Sequence, residues 1–194
     1  MSEFRRRLLM QSKSELPSGY TRLAYIESTD SSWINTNIYC NNTIWQLDIK
    51  GTNFLSSTAQ VAMCSNNIAG GWIGVLGGSQ KYVIAQNNYF NVNWFERVLI
   101  TAKFESIITT FIIGNEIKNI NRGLNKEVYL GAGNIYSIKL FAKIYSFVGT
   151  DLDGNLLFNG IPAIDSDGNV GLFDTITQQL FTSQNKQQFI AGYE

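Results

Sequence analysis

The sequence predicts a single all-β domain behind a short N-terminal arm, on three observations. Runs rich in Ile, Val, Thr, Tyr, Phe and Trp are separated by clusters of Asn, Asp, Ser and Gly, the pattern of strands joined by turns. Helical patterns are nearly absent, confined to Phe4 to Ser12 and a turn near Asp174 to Gln178. Only two prolines occur in 194 residues, so no proline-rich linker divides the chain, and one all-β domain of this length is ordinary.

In chain order, the strands are expected at Arg22 to Glu27, Ser32 to Ile38, Thr43 to Lys50, Ala59 to Cys64, Trp72 to Leu76 and Lys81 to Gln86. They continue at Glu96 to Phe104, Ile107 to Ile113, Glu127 to Gly131, Ser137 to Val148, Leu156 to Pro162, Asn169 to Asp174 and Gln179 to Ser183. Thr43 to Lys50 alternates, with Ile44, Gln46, Asp48 and Lys50 on one face and Thr43, Trp45, Leu47 and Ile49 on the other. The first set is mostly polar, so the strand has a wet side and a buried side. Ile107 to Ile113 leads into Gly114 and Asn115, a two-residue hairpin turn with a return strand, and its Ile-rich face belongs in the core because exposed it would aggregate.

Charge sets limits on function. Charged residues make up 15% of the chain, against roughly 25% in average globular proteins. Neutral polar side chains take their place. The net charge of zero gives no support to a nucleic-acid or membrane-surface partner. Residues 1–15 are the exception: Arg5, Arg6 and Arg7 stand between Phe4 and Leu8, Leu9, Met10. This apolar run is too short for a signal-peptide core or a membrane span, so neither an export signal nor membrane insertion is expected. The segment reads either as a loose leader or as a docking arm, whose guanidiniums bind carboxylates while Phe4, Leu8 and Leu9 fill apolar sockets on a partner.

Chemistry is restricted further by the absence of histidine, which removes the commonest general base, the Ser-His-Asp and Cys-His systems and ordinary zinc sites. Glu27, Glu96, Glu105, Glu116 and Glu127 are scattered singly, so no paired carboxylates for glycoside hydrolysis stand out and no enzyme is expected. Cys40 and Cys64 are too few to staple a domain of this size and read as two buried thiols rather than a pair. Two Asp-x-Asp-Gly-Asn runs, Asp151 to Asn155 and Asp165 to Asn169, lack the remaining ligands of a calcium loop. They read first as hairpin turns, with calcium at Asp151 and Asp153 as the minor alternative and no other cofactor expected.

Aromatic residues, 13% of the chain, carry the remaining binding chemistry. Trp72, Tyr89 and Trp94 lie in glycine-rich or polar stretches, GGWIGVLGG and QNNYFNVNWF, where rings can stack on sugars and Asn or Gln can bind hydroxyls. Against that stands the plainer reading that most of these rings fill the core.

Two bookend segments carry a family likeness. The first runs from Leu16 to Ile38, with Gly19, Tyr20, Thr21, then Tyr25, Ile26, Glu27, Ser28, then Trp33, Ile34, Asn35, Thr36, Asn37. Asn35 and Asn37 replace the usual Asp and Gly, and Asn tolerates the positive φ that Gly would adopt. The second runs from Ser166 to Gly192, with Gly171, Leu172, Phe173, Asp174, then Leu180, Phe181, Thr182, then Phe189 and Gly192. Between them Val128 to Asn134 matches a penultimate core strand, and the Ile107 to Ile113 hairpin matches a central one. Together these resemble the concanavalin A-like (laminin-G-like) jelly-roll domains of bacteriophage and prophage tail, fibre and surface proteins.

The resemblance implies an antiparallel two-sheet jelly-roll sandwich over residues 16–194, and jelly-roll glucanases carry a Glu-x-Asp-x-x-Glu strand that this chain lacks. It implies a virion structural protein of head or tail, docked on other virion proteins through residues 1–15 and displaying the jelly roll, with a host-surface glycan as a further partner. The alternative is a carbohydrate-binding adhesion module of a bacterial or prophage-encoded surface protein. A homotrimer would suit a fibre, although no heptads or collagen-like repeats are present.

Overall fold

The computed structural model describes residues 16–53, 60–65, 72–75, 82–85, 88–106, 108–120, 127–131 and 139–193. The arm, with Phe4, Arg5, Arg6, Arg7, Leu8 and Leu9, lies outside them. The described chain is all-β. In order its strands are β1 (Tyr20–Arg22), β2 (Tyr25–Asp30), β3 (Ile34–Tyr39), β4 (Thr43–Gly51), β5 (Gln60–Ser65), β6 (Trp72–Val75), β7 (Tyr82–Ala85) and β8 (Asn88–Asn93). There follow β9 (Arg97–Phe104), β10 (Thr109–Ile113), β11 (Glu116–Ile120), β12 (Glu127–Leu130), β13 (Leu140–Asp151), β14 (Leu156–Asp165), β15 (Val170–Asp174), β16 (Gln179–Thr182) and β17 (Ile190–Gly192).

These strands form two antiparallel sheets, an arrangement consistent with a β-sandwich. The larger runs β11-β10-β9-β4-β13-β14-β15-β16, with β1 beside β14 and β2 bridging β13 and β17. The smaller runs β3-β12-β5-β6-β7-β8. One apolar core takes Trp45, Leu47, Ile49, Ile100, Ile144 and Phe158 from the larger sheet and Ile34, Met63, Ile73, Phe90, Val128 and Leu130 from the smaller. Burying a side chain of this size contributes about 1.5–3 kcal/mol.

Strand β4 sits between β9 and β13 and alternates as its sequence predicts, with Trp45, Leu47 and Ile49 fully buried and Asp48 and Lys50 outward. Gln46 departs from the expected wet face, being buried on the side of Thr101, to which its Nε2 donates at 3.4 Å. The expected first strand is two strands. At the break, Leu23 N–H donates to Pro162 O and Ala24 N–H to Gly192 O, both at 2.9 Å, so the chain passes from β14 to β17 as its partner.

Two expectations about topology are corrected. The β10–β11 hairpin turns at Gly114, φ 60°, but it forms the edge of the larger sheet rather than its centre. Strand β12 lies inside the smaller sheet, between the edge strand β3 and β5, but is followed in the chain by five further strands, so it is not penultimate. Strands β8 and β17 lie outside the expected strands: β8 alternates Phe90 and Val92 among three asparagines, which are poor strand formers, and the three-residue β17 is defined by its pairing with β2.

The bookends meet. Strand β17 pairs with β2 through Ile190 and Glu27, Ala191 and Ile26, and Gly192 and Tyr25. Asn185 Nδ2 donates to both Ser31 O and Ser31 Oγ, the latter at 3.0 Å. Ser32 Oγ donates to Gln187 O at 2.9 Å, and Gln184 N–H to Trp33 O at 2.9 Å. Side chains and backbone of one segment therefore satisfy the loop of the other.

Candidate functional site

The three rings singled out from the sequence are not brought into one displayed cup. Tyr89, on β8, is 46% exposed. Trp94 is only 1% exposed, which contradicts its assignment as a sugar-stacking ring. The reason is packing against a glycine: a Cβ at Gly51 would stand 2.2 Å from Trp94 Nε1, so the indole occupies the space of the missing side chain. Its Nε1 donates to Asn53 O at 3.3 Å, satisfying its one donor inside the protein. Trp72 stands on β6 opposite Cys64, and its side chain lies outside the described residues.

Both Asp-x-Asp-Gly-Asn runs are turns, at the two ends of β14. Gly154 and Gly168 have φ of 88° and 85°, the left-handed region that glycine enters without strain. In the first, Asn155 N–H donates to Asp151 Oδ1 at 2.8 Å and Asn155 Nδ2 to Oδ2 at 2.7 Å. Asn169 serves Asp165 in the same way, at 2.8 and 2.9 Å. The bonds from Asn155 and Asn169 hold both carboxyls below the ordinary aspartate range. Both oxygens of Asp151 are thus engaged within the turn, and no cluster of three or more His, Cys, Asp or Glu suited to a metal occurs among the described residues. Cys40 and Cys64 are buried thiols, with Cys64 Sγ donating to Gly131 O at 3.3 Å.

Side chains on the outer face of the larger sheet largely satisfy one another. Arg97 grips Asp48 with Nε and Nη2 at 2.9 and 2.8 Å, and its guanidinium lies 3.8 Å from the Tyr145 ring centre. The bond to Asp48 raises the Arg97 pKa. Lys143 Nζ donates to Tyr25 Oη at 2.9 Å, while the Tyr25 ring packs on Gly192, where a Cβ would come within 2.2 Å. Cation and ring faces are occupied within the protein.

The outer face of the smaller sheet is different. Register places Tyr129 on β12 opposite Asn35 on β3, and Glu127 opposite Tyr39. Glu127 Oε2 accepts from Asn35 Nδ2 at 3.2 Å and from Tyr129 Oη at 3.0 Å. Asn35 is itself fixed, its Oδ1 accepting Asn37 N–H at 2.8 Å, with Asn37 at the positive φ of 57° that its side chain tolerates. Burial and the bond to Glu127 push the Tyr129 phenol up to about 12, so it remains a donor throughout the neutral range. The Trp33 and Tyr129 rings lie 5.6 Å apart and are both half-buried, and Tyr39 is 57% exposed.

This face joins a stacking surface to an oriented hydrogen-bond acceptor, the two elements of sugar recognition. Its signal in the sequence was the two-residue spacing of Trp33, Asn35, Asn37 and Tyr39, and of Glu127 and Tyr129. The pairing of strands about 90 residues apart in sequence was not legible there.

No helix among the described residues is long and apolar enough to cross a membrane. No family model matches the chain, and comparison with curated proteins gives no match either.

Proposed function

We propose that the chain is a non-enzymatic virion structural protein of a bacteriophage or prophage, a head or tail decoration or fibre component with a jelly-roll domain that attaches to host-surface glycan. The observation that carries this reading is that the two bookend segments on which the family likeness rests pair directly, β17 on β2, with the Ser31 and Asn185 loops bonded together. Segments joined in that way form one structural unit, as the likeness requires. The lack of histidine and the single, scattered glutamates favour a binding role over a catalytic one. In this reading residues 1–15 dock on other virion proteins through Arg5, Arg6 and Arg7 with Phe4, Leu8 and Leu9, and trimers suit a fibre.

A carbohydrate-binding adhesion module is the second reading, favoured by the Trp33, Tyr129 and Glu127 face. Mass spectrometry of density-purified particles, with the full chain compared against a deletion of residues 1–15, separates the two. Full-length protein at fixed stoichiometry and loss of the deletion from particles support the virion reading. Absence of both forms from particles overturns it.

A further inference from the structure

We infer that the outer face of the smaller sheet, around Trp33, Asn35, Tyr39, Glu127 and Tyr129, is a binding site for a neutral, hydroxyl-rich saccharide, an inference that rests on the glycan-attachment reading above. The organisation of Glu127 is the first reason. Both donors that reach it, Asn35 Nδ2 and Tyr129 Oη, bond to Oε2. They orient the carboxylate, and Oε1 accepts no hydrogen bond from any described residue. A carboxylate held by one oxygen presents the other as a fixed acceptor, so a ligand hydroxyl gains a charge-assisted bond without the entropy cost of ordering the side chain.

The rings supply the second reason. Trp33 and Tyr129 meet at 5.6 Å with an interplanar angle of 51°, forming an angled, half-exposed surface beside that acceptor. Sugar C–H faces pack on such rings while their hydroxyls reach a neighbouring polar group. Tyr39, opposite Glu127 in register, extends the exposed aromatic surface along β3.

Charge decides the class of sugar. Glu127 has no cationic partner among the described residues, whose ion pairs join Arg97 to Asp48, Lys103 to Glu105, Lys118 to Glu116 and Lys139 to Asp30. A uronate or phosphate brought against it would meet an unneutralised like charge. A neutral hexose or N-acetylhexosamine meets only an acceptor. The larger sheet offers the reverse case, since its Arg97 and Lys143 are already spent on Asp48 and Tyr25.

The test is binding of the full chain to an array of glucose-, galactose- and N-acetylglucosamine-terminated oligosaccharides beside uronate-terminated ones, repeated with Trp33→Ala, Glu127→Gln, Tyr129→Phe and Tyr89→Ser. Thermal melts run in parallel check that each variant folds. The expected result is retention of neutral saccharides by the wild type, a loss of about tenfold or more in Glu127→Gln and Trp33→Ala, and no change in Tyr89→Ser. Neutral binding that survives the Trp33 and Glu127 changes but falls with Tyr89→Ser overturns this site and leaves glycan attachment standing. Preference for the uronates overturns the assignment of class. Failure of the wild type to bind any member of the array overturns the glycan reading itself, and the site with it.

Discussion

Trp45 lies over Gly149, the residue directly opposite it on the neighbouring strand, so closely that a Cβ at Gly149 would stand 2.8 Å from the indole. The same ring packs on Phe147 at 4.9 Å and Phe158 at 5.9 Å, and its Nε1 donates to Thr43 Oγ1 at 3.0 Å. Every side of the indole is committed, so the ring cannot retreat. Gly149→Ala is expected to destabilise the fold by about 1–3 kcal/mol through overpacking, read as a lower denaturant midpoint with an unchanged slope. A midpoint equal to that of the wild type would show that β13 yields at this position.

The carboxylate of Asp174 is fully buried and accepts from Asn159 N–H at 2.7 Å, Ile176 N–H at 3.3 Å, Thr177 N–H at 3.1 Å and Thr177 Oγ1 at 2.7 Å. It organises the turn between β15 and β16. Asp174→Ala leaves several of these donors without an acceptor, and about 3 kcal/mol or more of stability should be lost, measured by urea unfolding. Asp174→Asn, which keeps one acceptor oxygen, should lose less.

Acid should weaken the fold through the two turns at the ends of β14. The carboxyl pKa values of Asp151 and Asp165 are depressed in the folded state, so their stabilisation is complete above the unfolded aspartate value and disappears as pH falls through the folded values. Melting temperatures followed from pH 5 down to pH 2 should fall, and the double change Asp151→Asn, Asp165→Asn should flatten part of that fall. An unaltered pH profile in the double variant would assign the acid sensitivity elsewhere.

Trp94 and Tyr89 should separate cleanly in a stability experiment. Trp94→Ala removes a buried ring that packs on Gly51 and donates to Asn53 O, and it should cost about 3–5 kcal/mol. Tyr89→Ser alters an exposed side chain and should stay within about 0.5 kcal/mol of the wild type. Guanidinium titrations of the two variants test this directly, and equal effects would mean that the indole is not a core residue.

By itself the sequence determined what depends on neighbours along the chain. The alternation of Thr43 to Lys50 put Trp45, Leu47 and Ile49 inside, because successive strand residues face opposite ways whatever the partner. The Asp-Gly turns at Gly154 and Gly168 and the Gly114 hairpin were legible because glycine tolerates φ values that other residues avoid. Outside that strand, tertiary structure decided which tryptophan rings are buried. Trp94 and Trp33 look alike as letters, yet one fills the gap above Gly51 while the other remains half-exposed beside Tyr129. It also decided that Glu127 would be oriented by Asn35 and Tyr129, and that β17 would complete the sheet beside β2. Those outcomes depend on strand pairing between distant parts of the chain, where register, not local propensity, chooses the neighbour of each side chain.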